Sequence, residues 1–477
     1  MSFATPLFLW FFAPIVLVTI LITPRSWRNG VVAVASLIFY AVGAGPSTML
    51  LLVCMVVNFL AGPALEPDEW DLSRRRRKLL LITVIAVDVA VLVIWKYAGF
   101  ATEQLAGFAQ LLGGDFPIVH LALPIGISFY TFHHISYVVD IYRGERPPLR
   151  DPVAFAAYIA MFPQLVAGPI VRYREIADQL PQHRTHPMDD IAAGFPRFAL
   201  GLCKKVIIAD SLSPVVDACF STPSDQMTFA IAWLGALAYT LQLYFDFSGY
   251  SDMAIGLGRM IGFRLPENFA RPYSSVTVTE FWRRWHMSLS RWFRDYLYIP
   301  LGGNRHGVSR TYRNLIIVFA LTGLWHGANW TFLVWGLYHG ALLIVERGFH
   351  LERPPTARRH LIARRALTMT FVIVGWVIFR AAELPQALAM IGHMLLPDFS
   401  GLTDVVEATL TNQRLIILLA ALVILALPAH PVTGPLLESS RSRPATILRI
   451  SIMTVGLLYA SIQVAAGTFS PFLYFQF

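Results

Sequence analysis

The sequence predicts an all-α polytopic membrane protein, and three observations carry that reading. Of 477 residues, 56% are hydrophobic and 14% charged, with a mean hydropathy of +0.57; soluble domains run at about 45–50% and about 25%. Apolar runs long enough for a hydrocarbon core of about 30 Å recur from end to end. Basic residues gather in the short polar stretches between those runs. A window of about 20 residues per span gives about ten to twelve spanning or half-spanning helices.

The first run, 6–21, has no basic residue before it and no small-residue cleavage site after it. It reads as a retained helix with its N-terminus outside, not as a signal peptide. Further runs fall at 79–94, 229–244, 366–379, 415–427 and 450–466. The positive-inside rule places Arg25, Arg28, residues 74–78 ("RRRRK"), Arg143, Arg146, Arg150 and residues 352–365 in the cytoplasm. The net charge of +9 is therefore a topology signal. No nucleic-acid-binding motif accompanies it. Cys54, Cys203 and Cys219 are scattered and give neither a disulfide framework nor metal spacing. No repeat is visible, so 1–477 reads as one integral membrane domain. A segment at 384–414 is mixed in character and suits an outer-face helix.

Two stretches, 242–272 and 276–303, are too polar to span and too aromatic for simple loops. The second is helical in pattern to about Tyr298, where Pro300 and Gly302-Gly303 stop it. Phe281, Trp285, Leu289, Trp292 and Tyr296 share one face at spacings of four, four, three and four. Arg283, His286, Ser290 and Arg294 make a second, cationic and hydroxylic stripe. That helix lies flat at the interface, anchored on lipid phosphates, or turns its polar stripe toward a wet cavity. An arginine stripe of this kind suits an anionic, phosphate-bearing donor.

Residues 321–340, "LTGLWHGANWTFLVWGLYHG", set His326 and Asn329 between Trp325 and Trp330 in an apolar setting. Arg305, Arg310 and Arg313 precede this stretch and 347–365 follows it, so an even number of crossings must fit between. Residues 315–325 rise only about 17 Å, half a bilayer, which predicts a turn near mid-membrane at Gly327. Asn329 and the Trp325 and Trp330 indoles are expected to satisfy the freed backbone groups. His326 then sits at the bottom of a cavity, where an ionisable group signals function. A histidine there suits proton transfer from an acceptor hydroxyl. No serine or cysteine nucleophile with triad partners stands beside it, so direct transfer from a thioester is simpler than a covalent acyl-enzyme. His339 falls on a different helix face and reads as packing, and His133-His134 lack the spacing of metal ligands.

"FWRRWHMSLSRWFRDYLYIPLGGNR", "LWHGANWTFLVWGLYHG", "YFDFSGYSDMAIGLGRMIGFRLPENFARPY" and "MFPQLVAGPIVRY" together resemble the membrane-bound O-acyltransferase family. The likeness runs from about Pro124 to the ending "SPFLYFQF". It is closest in wording to the bacterial alginate O-acetylation branch, which is related to teichoic acid D-alanylation proteins. The resemblance implies a helical bundle around a central tunnel, with N-terminal helices at 1–123, a catalytic core with re-entrant helices at 124–348 and C-terminal helices at 349–477. It implies His326 as the catalytic residue and His286 as a second functional position. Arg283, Arg284, Trp285, Ser288, Ser290, Arg294, Trp325 and Asn329 are the accompanying substrate or tunnel candidates. Asp246, Ser248, Tyr250, Ser251 and Asp252 either line the tunnel or bond helix to helix. Asn268, Pro272 and Tyr273 match a motif read as a structural turn. No resident cofactor or metal is expected. The donor is acetyl-CoA or another acyl thioester, and a carrier protein is an alternative source. The implied partners are membrane lipid, a polysaccharide acceptor such as alginate, cellulose or peptidoglycan, and an extracytoplasmic SGNH-type acetyltransferase. The implied location is the bacterial inner membrane. D-alanyl transfer to teichoic acid is one alternative; a transporter or flippase is another, though no inverted halves are seen.

Overall fold

A computed structural model describes residues 2–67, 73–181, 187–355, 357–398, 400–427, 433–440, 442–467 and 472–473, and all regular elements among them are helical. Hydrocarbon offers peptide groups no partner, so a helix, which satisfies its own backbone, is the natural spanning unit. The chain divides into two compact units, Met1–Phe195 with Ala254–Pro266 and Pro196–Met253 with Glu267–Phe477. Among the described residues four segments are long and apolar enough to cross a membrane: Arg25–Leu65, Arg74–Leu111, Arg358–Arg380 and Arg443–Ala465. Leu7–Ile22, Leu384–Leu395 and Asn412–Ala426 are shorter apolar helices. Of the ending at 470–477, only Phe472 and Leu473 lie within the described residues.

The first unit is built on α1 (Arg28–Ala44), α2 (Thr48–Leu65), α3 (Arg74–Leu111) and α4 (Ile127–Tyr142). Gly45, at φ 55°, turns the chain between α1 and α2. The basic run at 74–78 is not a loop, as the sequence suggested, but the first turns of α3, where the Ser73 hydroxyl accepts from the Arg76 N–H at 3.4 Å. Only 11% of the apolar window of α3 is buried, so an apolar helix shows its side chains outward, as lipid-facing helices do. Its buried Asp88 accepts a hydrogen bond from the Asn58 amide of α2 at 2.9 Å, a polar link between two apolar helices. α4 is buried along almost its whole length. His133 packs against Tyr158 and His134 against Tyr130 and Phe155.

The second unit takes its residues from α5 (Phe229–Met260) up to Met253, then from α6 (Val278–Arg284), α7 (Met287–Phe293), α8 (Val308–His326), α9 (Trp330–Gly348), α10 (Arg358–Arg380), α11 (Leu384–Leu395) and α12 (Asn412–Ala426). α5 is 32 residues long, so the first part of the stretch at 242–272 continues the apolar run and does not stand apart from it. The mixed segment at 384–414 holds α11 and a short helix, Asp404–Thr409.

α8 and α9 form an antiparallel hairpin of 19 residues per arm. Each arm rises about 28 Å. That is longer than the half-membrane arm predicted, because α8 begins seven residues before Leu315 and takes in Arg310 and Arg313. Glycines let the arms touch. A Cβ on Gly323 would lie 2.2 Å from the Phe332 carbonyl oxygen, and one on Gly336 2.2 Å from that of Phe319. Small residues at such crossings are how apolar helices gain packing when lipid competes equally well for their side chains.

Gly323→Val and Gly336→Val are each expected to force the arms apart, at a cost of at least about 1–3 kcal/mol. The check is the melting temperature of purified protein in detergent. Gly392→Ala, on α11 where a Cβ would meet nothing within 4 Å, should leave that temperature unchanged or slightly raised.

Candidate active site

The predicted single helix over 279–298 is broken at its centre. α6 is started by two devices: the Thr277 hydroxyl accepts from the Glu280 N–H at 2.9 Å, and the buried Glu346 carboxylate of α9 accepts from the Val278 and Thr279 N–H groups, both at 2.8 Å. A carboxylate on the first N–H groups of a helix satisfies orphan donors and complements the helix dipole. α6 ends at Arg284, Trp285 is extended, and His286 takes φ 43° and ψ 54°, a left-handed conformation that a β-carbon disfavours. α7 then starts, followed by a π-turn over Arg294–Tyr298.

Backbone from the preceding loop closes the gap. The Ala270 N–H donates to the Arg284 carbonyl at 3.0 Å, and the Met287 N–H donates to the Asn268 carbonyl at 2.9 Å. The loop therefore pairs the Arg284 carbonyl and the Met287 N–H on either side of the break. It also divides the polar stripe that an unbroken helix would have displayed. Arg283 and Arg294 are exposed and, with Ser290, Arg291 and Arg347, line a cavity of about 720 Å³. His286 is 1% exposed and is not part of that wall. Its Nδ1 lies 3.1 Å from Asn268 Oδ1, and its ring packs edge-on to Phe247 at 4.7 Å and to Trp325 at 6.0 Å.

His326 is the last residue of α8. Gly327 follows because a Cβ there would lie 2.1 Å from the Phe332 ring. Asn329 then caps α9, its Oδ1 accepting from the Thr331 N–H at 3.1 Å and its amide donating to the Ala382 carbonyl at 2.9 Å. Asn329 thus serves the freed backbone as predicted. Trp330 is 49% exposed, and Trp325 is part of the ring packing. Around the His326 ring stand Trp325 at 4.9 Å, Trp335 at 5.1 Å and Phe379 of α10 at 5.1 Å, all near-perpendicular. One indole, Trp325, thus touches both histidines. A second aromatic line runs from Trp282, on the cavity wall, to Trp335 at 5.7 Å, beside His326. His339 is fully buried against Trp282, Trp335 and Trp376.

Residues 145–383, which include both histidines, match MBOAT, the membrane-bound O-acyltransferase family. Over its whole length the chain is 44% identical to a protein from Azotobacter vinelandii named probable alginate O-acetylase, all of which is covered. It is 37% identical to the peptidoglycan O-acetyltransferase of Helicobacter pylori, over 82% of this chain and 79% of that one. It is 30% identical to the teichoic acid D-alanyltransferase of Bacillus subtilis, over 54% of this chain and 68% of that one. The chain belongs to the membrane-bound O-acyltransferase family. It is an O-acyltransferase of the membrane.

Within this O-acyltransferase the remaining predicted positions separate by their partners. Asp246 pairs with Lys205 at 2.9 Å and accepts from the Leu473 N–H at 2.9 Å. Tyr250 stacks on Phe472 at 4.3 Å. Asp252 joins Lys204 at 2.6 Å and Arg197 at 3.0 Å, and that same guanidinium also holds Glu267 and Glu438. Ser251 accepts from the Asn268 amide at 3.1 Å, whereas the buried Ser248 hydroxyl has no hydrogen-bond partner among the described residues. Both carboxylates of this segment are thus engaged in ion pairs with lysine or arginine. Arg284 pairs with Glu280 at 2.6 Å and donates to Ser274 at 3.1 Å. Trp285 stacks on Phe281 at 5.6 Å and lies tilted against Trp376 at 4.8 Å. Ser290 donates to the Trp282 carbonyl at 3.3 Å, and Arg294 pairs with Asp295 at 2.7 Å. Ser288 bonds Asn268. The sequence reading missed Glu346 and the reach of Asn268; an acid inside the apolar run "GALLIVERG" was the available signal for the first.

Asp252→Ala should cost about 3–5 kcal/mol, because it leaves Arg197 and Lys204 short of a counter-charge in a buried place. Ser248→Ala, in the same helix, should cost less than about 1 kcal/mol, since it removes no hydrogen bond found among the described residues. Thermal unfolding of the two purified variants checks the contrast.

Proposed function

We propose that this O-acyltransferase moves an acetyl group from a cytoplasmic thioester, acetyl-CoA, to an acceptor hydroxyl for O-acetylation of an extracytoplasmic polysaccharide, with His326 as the proton acceptor. The observation that carries the reading is the setting of His326. It ends a helix that glycines pack tightly against its neighbour, it is walled by three aromatic rings, and one of those rings reaches His286. Two aromatic contacts away, the arginine-lined cavity is of a size for a small-molecule ligand and of a charge for a phosphate-bearing one.

In the proposed step the hydroxyl proton passes to the neutral imidazole as the oxygen attacks the thioester carbonyl. The carbon–sulfur bond breaks, the ester bond forms, and the imidazolium returns its proton to the departing thiolate. No net proton is consumed and no resident cofactor is required. A bundle of about ten to twelve spanning or half-spanning helices around a through-tunnel would join a cytoplasmic donor opening to an outer acceptor opening. An extracytoplasmic acetyltransferase partner of the SGNH type would complete delivery to alginate, cellulose or peptidoglycan outside the bacterial inner membrane. Acetyl is preferred over D-alanyl from a carrier protein because the relatives named for O-acetylation align over most or all of this chain, whereas the D-alanyltransferases align over about half.

His326→Ala and His326→Gln are expected to lower transfer about 10²–10⁴-fold while the protein stays folded, since an amide keeps hydrogen bonds but carries no proton at neutral pH. His339→Gln is the control for damage to the hairpin and should cost far less. Donor turnover and acceptor acylation, both followed in nanodiscs, decide it; near-normal transfer by His326→Gln would return the histidine to a packing role.

Replacing Arg283 and Arg294 together by Gln should raise the donor KM more than it lowers kcat, because charge pairing is made in ground and transition states alike. An unchanged KM in well-inserted protein would make these arginines interfacial anchors only.

A further inference from the structure

Asn268 lies in "LPENF", where the sequence suggested no more than a turn, yet it is fully buried and is the hub of the broken helix. Its Oδ1 takes the Ser288 N–H at 3.2 Å and the Ser288 hydroxyl at 2.9 Å, and faces His286 Nδ1 at 3.1 Å. Its Nδ2 donates to Ser251 at 3.1 Å. A peptide N–H can only donate, so the Asn268 atom turned toward Ser288 is the carbonyl oxygen. Facing a pure acceptor, His286 Nδ1 must carry the hydrogen of that bond. In a neutral imidazole the lone pair then belongs to Nε2.

We infer that Asn268 is a positioning residue for the acyl-transfer reaction, holding His286 in its Nδ1–H tautomer so that Nε2 is the basic atom. The same residue fixes the main chain, since its main-chain carbonyl accepts the Met287 N–H and so helps hold His286 in its left-handed conformation. The side chain of Asn268 thus sets the ring's proton, and its main-chain carbonyl helps set the backbone from which the ring projects. Among the described residues, the rings Phe247 and Trp325 against His286 do not titrate, and an amide and a hydroxyl lie at its Nδ1 side. Oriented by a neutral carboxamide, the imidazole gains direction without the added basicity that a carboxylate would confer. That His286 serves the reaction is part of this inference, drawn from its contact through Trp325 with His326, and to that extent it rests on the proposed function; the tautomer stands on hydrogen bonds alone.

The test uses the full-length protein in nanodiscs. In ¹⁵N-histidine-labelled protein, with the His286 signals assigned by their loss in His286→Gln, Nδ1 should be protonated and Nε2 unprotonated at neutral pH. Asn268→Leu should abolish that preference and lower kcat about 10–100-fold with the donor KM unchanged. Asn268→Asp keeps the acceptor and adds a charge that favours the imidazolium, so the acid limb of the kcat/KM profile should move to higher pH by about one unit or more. A purely structural asparagine would lower the yield of folded protein in both variants without moving that limb. An Nε2–H tautomer in the parent protein, or a folded Asn268→Asp protein with the parental pH profile, would overturn the inference. If the tautomer is as inferred but His286→Gln transfers acetyl normally, the positioning contact stands and the reactive role of His286 is lost.

Discussion

An unpaired peptide group out of reach of water costs several kcal/mol, and this constraint governs how the O-acyltransferase can bury polar chemistry. The chain leaves regular helix at Trp285–His286 and again at Gly327–Asn329. Both departures are supplied with partners: residues 268–270 at the first, the Asn329 side chain at the second. Each candidate histidine sits beside one of these breaks. Only where backbone geometry departs from the helix can a side chain leave the face that helical periodicity assigns it, which is how His286 comes away from Arg283 and Arg294.

Charge is handled by the same rule. Arg197 is 2% exposed at its side chain and meets Asp252, Glu267 and Glu438, while Lys205 is held by Asp210 and Asp246. These clusters bind α5 to its surroundings and bury the Arg197 and Lys205 charges. A buried pair of this kind adds little net stability but is costly to break, so it specifies an arrangement more than it strengthens one. By contrast Arg283 has the exposure and the cavity that an anion-binding residue needs.

Aromatic packing connects the two histidines. Trp325 contacts both rings, Trp335 contacts His326 and His339, and Trp376 and Phe379 close the group from α10. Rings of this bulk exclude water and fix imidazole orientation through edge-on contact. In a dry setting the hydrogen bonds that remain are strengthened, which is why the single neutral contact from Asn268 can decide where a proton resides.

Composition and hydropathy determined that this is a helical membrane protein, because lipid selects for apolar side chains and internally satisfied backbone wherever they occur in the chain. The four motif segments determined the family and singled out His326 and His286, since those residue types in that wording are local facts. Helix ends were less legible: the runs at 74–78 and 358–365 read as loops by charge yet begin helices, because arginine can extend along a helix end toward polar surroundings. Tertiary structure alone decided that the helix over 279–298 is two helices. The apolar spacing of Phe281, Trp285, Leu289 and Trp292 persists through the break, and the groups that stabilise it, Asn268 and Glu346, lie 18 residues before His286 and 68 after Val278. It decided equally that Asp246 and Asp252 are bound to lysine and arginine, for an ion pair depends on where the partner helix passes, and no local pattern around a carboxylate records that.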